Sequence, residues 1–265
     1  ILVATEVSPM ALHQLMRLGA DDFVPYQLPE GALHDAVERI RRPEPEPAAA
    51  VVAAAISGPS TNALLLSTGS NTNSLMIISN AANSWLGETT LSGSGIVRLG
   101  LPGVFPDNGG NLVLNSTVQL DVNGQSEAIG GLFGPGRVDN RVAGAPATLT
   151  VGGNNNSPTF SGIITNSGAG SALSLVKVGT GTQTLSGTNT IAGFVRVEAG
   201  VLALSSAANL TASTSVTVEA GATLQAIGRS DGTFTVPSGQ VLQGDGTIIG
   251  ILTNNGVVAP GLPVG

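Results

Sequence analysis

Val195-Arg196-Val197-Glu198-Ala199-Gly200 returns 21 positions later as Val216-Thr217-Val218-Glu219-Ala220-Gly221. A second pair shares the pattern Val-x-x-Gly-x-x-Leu at an offset of 18: Val218-Glu219-Ala220-Gly221-Ala222-Thr223-Leu224 and Val236-Pro237-Ser238-Gly239-Gln240-Val241-Leu242. Apolar and polar residues alternate in Val216-Thr217-Val218-Glu219, the period of a strand with one buried face, valines inward and Thr217 and Glu219 outward. The glycine that closes each unit suits a corner with positive φ. A unit of 18–21 residues is too small to bury its own apolar face, so units must stack and pair along their strands. The expected fold is all-β, a single-chain parallel β-helix. At about 4.8 Å and about 20 residues per coil, residues 57–265 would make about ten coils, a rod on the order of 50 Å long. A β-sandwich gives the same alternation, but the near-constant offset favours the solenoid.

Composition agrees with this reading. Gly is abundant at 37 residues, aromatics are 3% and charged residues 10%. Such a chain suits narrow stacked coils with a Val/Leu/Ile/Ala interior better than a thick α/β core. A net charge of −7 argues against a nucleic-acid partner, which needs a basic surface. Without Cys, disulfides, thiolate catalysis and Cys-ligated zinc are excluded. The apolar run 48–56 is far short of the ~20 residues of a spanning helix, so no membrane span is expected in this sequence.

The chain changes character near residue 43. Residues 1–50 hold eight of the 17 acidic residues, four of the ten basic ones and both histidines. The Pro/Glu-rich run 43–47 and the alanines after it read as an extended linker over 43–56. Residues 1–42 alternate strand and helix. Ile1–Ala4 and Asp21–Pro25 are short apolar runs. Ser8 and Pro9 open a first helix with Leu12, Leu15 and Met16 at helical spacing, and Leu33, Ala36, Val37 and Ile40 mark a second.

Two resemblances follow from these residues. Gly19-Ala20-Asp21-Asp22-Phe23-Val24-Pro25, with Thr5 at the end of the first strand, resembles the last part of a response-regulator receiver domain. The stretch 8–42 is closer to the degenerate receiver-like domain of Tad pilus-assembly ATPases. Tyr26-Gln27 stands where a true receiver has Lys-Pro, and the phosphoacceptor region has no counterpart, so the expectation is a structural remnant that is not phosphorylated. In the larger part, 159–164, 175–190 and 197–202 resemble the autotransporter-associated β-strand repeat. Leu120–Gly124 with Ala128–Leu132, and Gly244–Thr247 with Asn254–Gly261, resemble neighbouring stretches of the same passenger modules. Ile191-Ala192-Gly193-Phe194 departs from the Tyr-x-Gly-Gly of that repeat, so a rebuilt corner is expected there. The passenger resemblance implies a secreted or cell-surface rod, adhesive in some members and non-catalytic. The first resemblance implies the cytosol, and this conflict leads to the expectation that 1–42 and 57–265 are an artificial or misassembled join.

Some solenoids cleave polysaccharides, so the carboxylates of 51–265 are candidates for such chemistry: Glu88, Asp107, Asp121, Glu127, Asp139, Glu198, Glu219, Asp231 and Asp245. Paired-carboxylate hydrolysis needs two acids within roughly 5–10 Å. Asp121 and Asp139, with Arg137 nearby, are the candidates for a sugar-cleaving pair across adjacent coils. Glu198 and Glu219, one repeat apart with no Arg or His expected beside them, read as a solvated outer ladder. Without His or Cys in this half, a Ser-His-Asp or Cys-His site cannot be built there. Gly179-Thr180-Gly181 and Gly244-Asp245-Gly246 lack the context of a phosphate loop. The run Asn154-Asn155-Asn156 lacks the Asp positions of a calcium repeat and reads as a loop. His13 and His34 read as surface residues. Trp85, Phe133 and Phe160 read as corner or core packing rather than a sugar-stacking platform. No catalytic, cofactor or metal residues are therefore assigned. The expected function is a structural scaffold that contacts cell-surface or matrix polysaccharide or protein. The alternatives are a fragment of a cytoplasmic pilus-assembly regulator and a polysaccharide-active β-helix enzyme.

Overall fold

The computed structural model describes residues 2–4, 23–25, 50–52, 55–57, 63–107 and 109–261. The chain divides into two units, Ile1–Pro47 and Ala48–Gly265. In the first, Leu2–Ala4 and Phe23–Pro25 pair in parallel with Leu2 opposite Phe23. The two helices expected between and after these strands fall outside the described residues, as do Thr5, His13, His34 and Tyr26-Gln27. No helix occurs among the described residues.

The second unit is a right-through stack of parallel strands. Six strands from Ala50–Val52 to Ile163–Thr165 form one sheet, and four from Leu64–Ser67 to Gly131–Phe133 form another. Seven strands from Glu127–Ile129 to Val257–Pro260 and five from Thr159–Phe160 to Thr247–Ile249 continue the stack, with the pair Thr233–Val236 and Ile251–Asn254 beside them. Every strand pairing among the described residues is parallel, which excludes the antiparallel sandwich. The stack makes about 9 turns rather than ten. Coils are less even than the sequence offsets suggest, some longer and some shorter: Val195 pairs with Val216, Ser215 with Val241 and Val241 with Val257. The solenoid also starts earlier than expected, because Ala50–Val52 lies inside the stretch read as linker and pairs with Met76–Ile78. Three small apolar residues extend an open sheet edge, a gain the Pro-rich residues before them cannot match for want of N–H groups.

The 21-residue repeat is a true coil register, with Val195 on Val216 and Val197 on Val218, all fully buried. The 18-residue repeat is not. Val218 lies under Val197, and Leu224 pairs with Ile248. The Val-x-x-Gly-x-x-Leu pattern instead marks two similar corners at different places around the coil. In each, the third residue after a carbonyl donates back to it, Ala222 to Glu219 and Gln240 to Pro237, and a glycine with φ near +80° turns the chain. Like local geometry, not stacking, made these two segments alike.

Inward side chains line up in rows. Leu149, Leu175, Val195, Val216, Leu242 and Val258 form one, and Val97, Leu120, Val138 and Ile164 another. Each row excludes water along the axis, the main stabilising term of such a narrow fold. Trp85 and Phe160 join the core as expected, with Trp85 edge-on to Phe105 at 6.4 Å and its indole N–H donated to Thr89 Oγ1. Phe133 does not; it sits 45% exposed on the outer face, because Leu132 takes the inward position of that strand. At the Ile191–Phe194 corner Ile191 is buried, Gly193 donates its N–H to Leu173 O and Phe194 to Ser174 Oγ.

Polar side chains occupy core positions where the ladder is interrupted. Thr159–Phe160 is only two residues long and is preceded by Pro158, which has no N–H to give. Gln183, one coil further on, reaches past it: its Oε1 accepts the Leu132 N–H at 3.0 Å and its Nε2 donates to Leu132 O at 2.9 Å. The side-chain amide thus replaces a missing peptide. Lys177 lies in the row Val151–Lys177–Val197, and its ammonium donates to the carbonyls of Val178, Gly179 and Ala199. Burial pulls its pKa down to about 8.

One corner admits only glycine for steric reasons. A Cβ on Gly162 would collide with the carbonyl oxygen of Gly136, and one on Gly187 with that of Gly162. Gly239, by contrast, has open space around it and only its φ of +85° to defend. Gly162→Ala is therefore expected to destabilise the solenoid by roughly 3 kcal/mol, and Gly239→Ala by about 1 kcal/mol. Urea midpoints of the two variants check the order; equal shifts would contradict the stacked-corner account.

Candidate functional site

The sequence pair Asp121 and Asp139 is brought together. The strands Gln119–Asp121 and Arg137–Asp139 pair in register, Asp139 opposite Asp121, on the outer face of the six-stranded sheet. Alternation sends Leu120 and Val138 into the core and the two carboxylates outward, yet both are covered, at 0% and 1% exposure. The cover is built from their neighbours. Asp121 accepts Arg98 Nε at 2.9 Å, the Asn123 N–H at 2.9 Å and the Arg141 N–H at 3.3 Å. Asp139 accepts Arg137 Nη2 at 2.8 Å, Gln119 Nε2 at 2.9 Å, and both the N–H and the hydroxyl of Ser167 at 2.8 and 2.7 Å. Next to them Asn140 is fully buried, accepting the Gly124 N–H and donating to Ala145 O and Ala172 O.

This arrangement clasps coils together. A general acid or base must present an open lone pair to a substrate within hydrogen-bond reach. Here seven donor contacts engage the four oxygens, and they come from coils before and after the pair. The geometry joins Arg98, Asp121, Asp139 and Ser167 across four successive levels of the sheet.

The other sequence candidates lie apart. Glu198 and Glu219 follow stacked strands, but Arg196 sits between them, its Nε 2.8 Å from Glu219 and 3.5 Å from Glu198. The expectation of no nearby Arg fails here because Arg196 is outward on the same strand, two residues before Glu198. Asp231 is exposed and bonded to Arg229, which holds its carboxyl below the usual range. Asn155 takes a positive φ, and its Oδ1 accepts the N–H and hydroxyl of Thr180. Gly179 and Gly244 are positive-φ turns. No cluster of three or more His, Asp or Glu that could hold a metal occurs among the described residues. A hollow of about 140 Å³ near the last coil is lined by Val218, Leu242, Ile248, Leu252, Val258 and Pro260, without a titratable group.

Glu127, which its residue type alone does not set apart from the other carboxylates, is the most perturbed of them. It takes an inward position at the head of the row that continues with Leu149 and Leu175. Its two oxygens accept the N–H groups of Val104 and Phe105, where the loop after Ile96–Leu99 crosses in place of a further strand. Burial pushes its pKa up to about 7, those backbone N–H groups oppose the rise, and the Asp107 charge adds to it. The alternation Glu127-Ala128-Ile129 carries the signal, since a strand of that pattern faces Glu and Ile the same way.

The chain matches known proteins over part of its length. Residues 175–204 match the family model described as passenger-associated-transport-repeat. Within the solenoid, this 30-residue stretch is similar to a repeat found in transported passenger segments. Over 125 residues it is 34% identical to the Adhesin BmaC autotransporter of Brucella suis biovar 1 (strain 1330), a stretch that covers 46% of this chain and 3% of that protein. The chain therefore spans a small fraction of the length of this curated relative. No solved structure matches it. The matched repeat contains Lys177 and Gln183, two of the polar residues that repair the ladder.

The charged side chains of the solenoid generate two expected outcomes. Asp139→Ala removes the acceptor of Arg137, Gln119 and Ser167 and is expected to cost roughly 2–3 kcal/mol, whereas Glu198→Ala, on an exposed ladder, stays within about 0.5 kcal/mol. Chemical denaturation of both variants measures this. For Glu127 the folded pKa lies above the ordinary value, so its stabilisation is full below about 4.5 and is lost as pH rises through about 7. The stability of the unsubstituted chain relative to Glu127→Gln should fall by on the order of 3 kcal/mol between pH 4.5 and 8. A difference that stays flat with pH would contradict the buried-carboxyl account.

Proposed function

We propose that this chain is part of a secreted, surface-displayed passenger rod whose role is structural and adhesive, without catalysis. The observation that carries the reading is the coil-on-coil stack of parallel strands from Ala50–Val52 to Val257–Pro260, which includes the stretch 175–204 that matches the passenger-associated repeat. A stack of this kind presents long outer rows of side chains at fixed spacing and buries the rest. That is what a stiff spacer with a contact surface requires. Similarity to an adhesin autotransporter supports surface contact as the role, and it supports an extracellular or cell-surface location.

The polysaccharide-cleaving alternative loses its best residues, because the lone pairs of Asp121 and Asp139 are occupied by protein donors. The cytoplasmic alternative rests on residues 1–42, of which two three-residue strands are described. Displaying the parent protein in its native bacterium and probing intact cells with an antibody to the Pro237–Gln240 corner tests location. Labelling of unbroken cells, removed by external protease, is expected. Recovery only from the cytosol would refute the proposal, and adhesion of displaying cells to host-cell or matrix surfaces tests the adhesive part separately.

A further inference from the structure

The same two carboxylates that are closed to catalysis change what the six-stranded sheet shows to solvent. Its outer rows run Leu75, Ile96, Gln119, Arg137, Ile163 and Ile77, Arg98, Asp121, Asp139, Thr165. Asp121 and Asp139 are the carboxylates in the strands of this sheet, and both are covered. The guanidinium groups above them are not: the Arg98 side chain is 32% exposed and that of Arg137 43%. Arg141, whose N–H bonds Asp121, is exposed, and its side chain has no partner among the described residues. The charged groups this face offers to solvent are thus all cationic. Three of the six basic residues of 51–265 gather here, on a chain of net charge −7. The exposed acids Glu88, Asp107, Glu198, Asp231 and Asp245 lie outside this sheet.

These arginines are also prepared for an anion. Arg98 is held by one bond from Nε, and Arg137 by one bond from Nη2, so each is fixed in place with further N–H groups to donate. Planar guanidinium forks match carboxylate and sulfate oxygens with two parallel hydrogen bonds. Arg98 and Arg137 stand two coils apart, about 10 Å along the axis, on an open β surface rather than in a pocket. That spacing and flatness fit an extended polymer that carries anionic groups at intervals.

We propose that this face, through Arg98, Arg137 and Arg141, binds an anionic polysaccharide, sulfated or carboxylated. This rests on the adhesive reading above and names its partner class. Single-stranded nucleic acid fits less well, since no exposed aromatic ring lies in these rows for bases to stack on, and three cations cannot overcome the overall negative charge at long range. The contact is therefore short-range and salt-dependent.

The test uses the whole chain on immobilised dextran sulfate, polygalacturonate, neutral dextran and a single-stranded oligonucleotide. Binding to either charged glycan, absent on neutral dextran and weakening steadily with salt, is expected. Arg141→Glu should lower affinity by about tenfold or more, and Arg141→Gln should act in the same direction. Arg141 bears no side-chain contact that the fold needs, so both variants should keep the parent circular dichroism spectrum. Arg196→Glu, the same charge change on the seven-stranded sheet, should leave binding intact. Absence of glycan binding, equal losses for Arg141→Glu and Arg196→Glu, or tighter binding to the oligonucleotide would each overturn the assignment. Cell adhesion that survives Arg141→Glu would overturn it too while leaving the adhesive role standing. Glycan binding by a passenger that does not adhere would uphold it and remove that role.

Discussion

The backbone hydrogen bond from one coil to the next is the interaction on which the rest of this structure depends. In a parallel stack each strand's N–H and C=O groups point along the axis, and a buried peptide group without a partner costs about as much as several good contacts return. Coils of equal length satisfy this automatically. The coils here are unequal, since the register advances by different numbers of residues from level to level. Where a strand is cut short or absent, a polar side chain enters the core in its place. Gln183 serves Leu132, Glu127 serves Val104 and Phe105, Asn189 serves Ile164, and Lys177 collects three carbonyls. These residues are costly to bury alone and inexpensive once fully bonded.

The same economy explains the acidic pair. Two carboxylates stacked on adjacent coils would repel each other on an open surface. Covered by Arg98, Arg137, Gln119 and Ser167, they join successive levels and leave their arginine partners facing outward. Chemistry that looked catalytic from residue type is thereby turned into cross-linking, and the surface acquires a sign opposite to that of the chain as a whole. The stretch 175–204 that matches the repeat model spans two successive levels, Leu175 paired with Val195 and Thr182 with Val201, and the strand register continues on both sides of it without reversal.

Alternation and glycine placement determined by themselves that the chain is β, repetitive and stacked, because a two-residue side-chain period and corner glycines have few other uses. The 21-residue repeat also revealed a true register, since both copies lie on the same face of consecutive coils. Other features could not be read along the chain. The 18-residue repeat reflects two corners of like shape, and sequence likeness does not distinguish a corner from a coil. The start of the solenoid at Ala50 was hidden by a composition that serves a linker or an edge strand equally well. Residue type proposed Asp121 and Asp139 together, but only the stacked coils decided that Arg98, from the level before, and Ser167, from a later one, would close over them. Those partners lie 23 and 28 positions away, and when coils vary in length no fixed spacing marks them. Local pattern therefore determined which way each side chain faces, whereas the accumulated register of unequal coils decided which side chains meet.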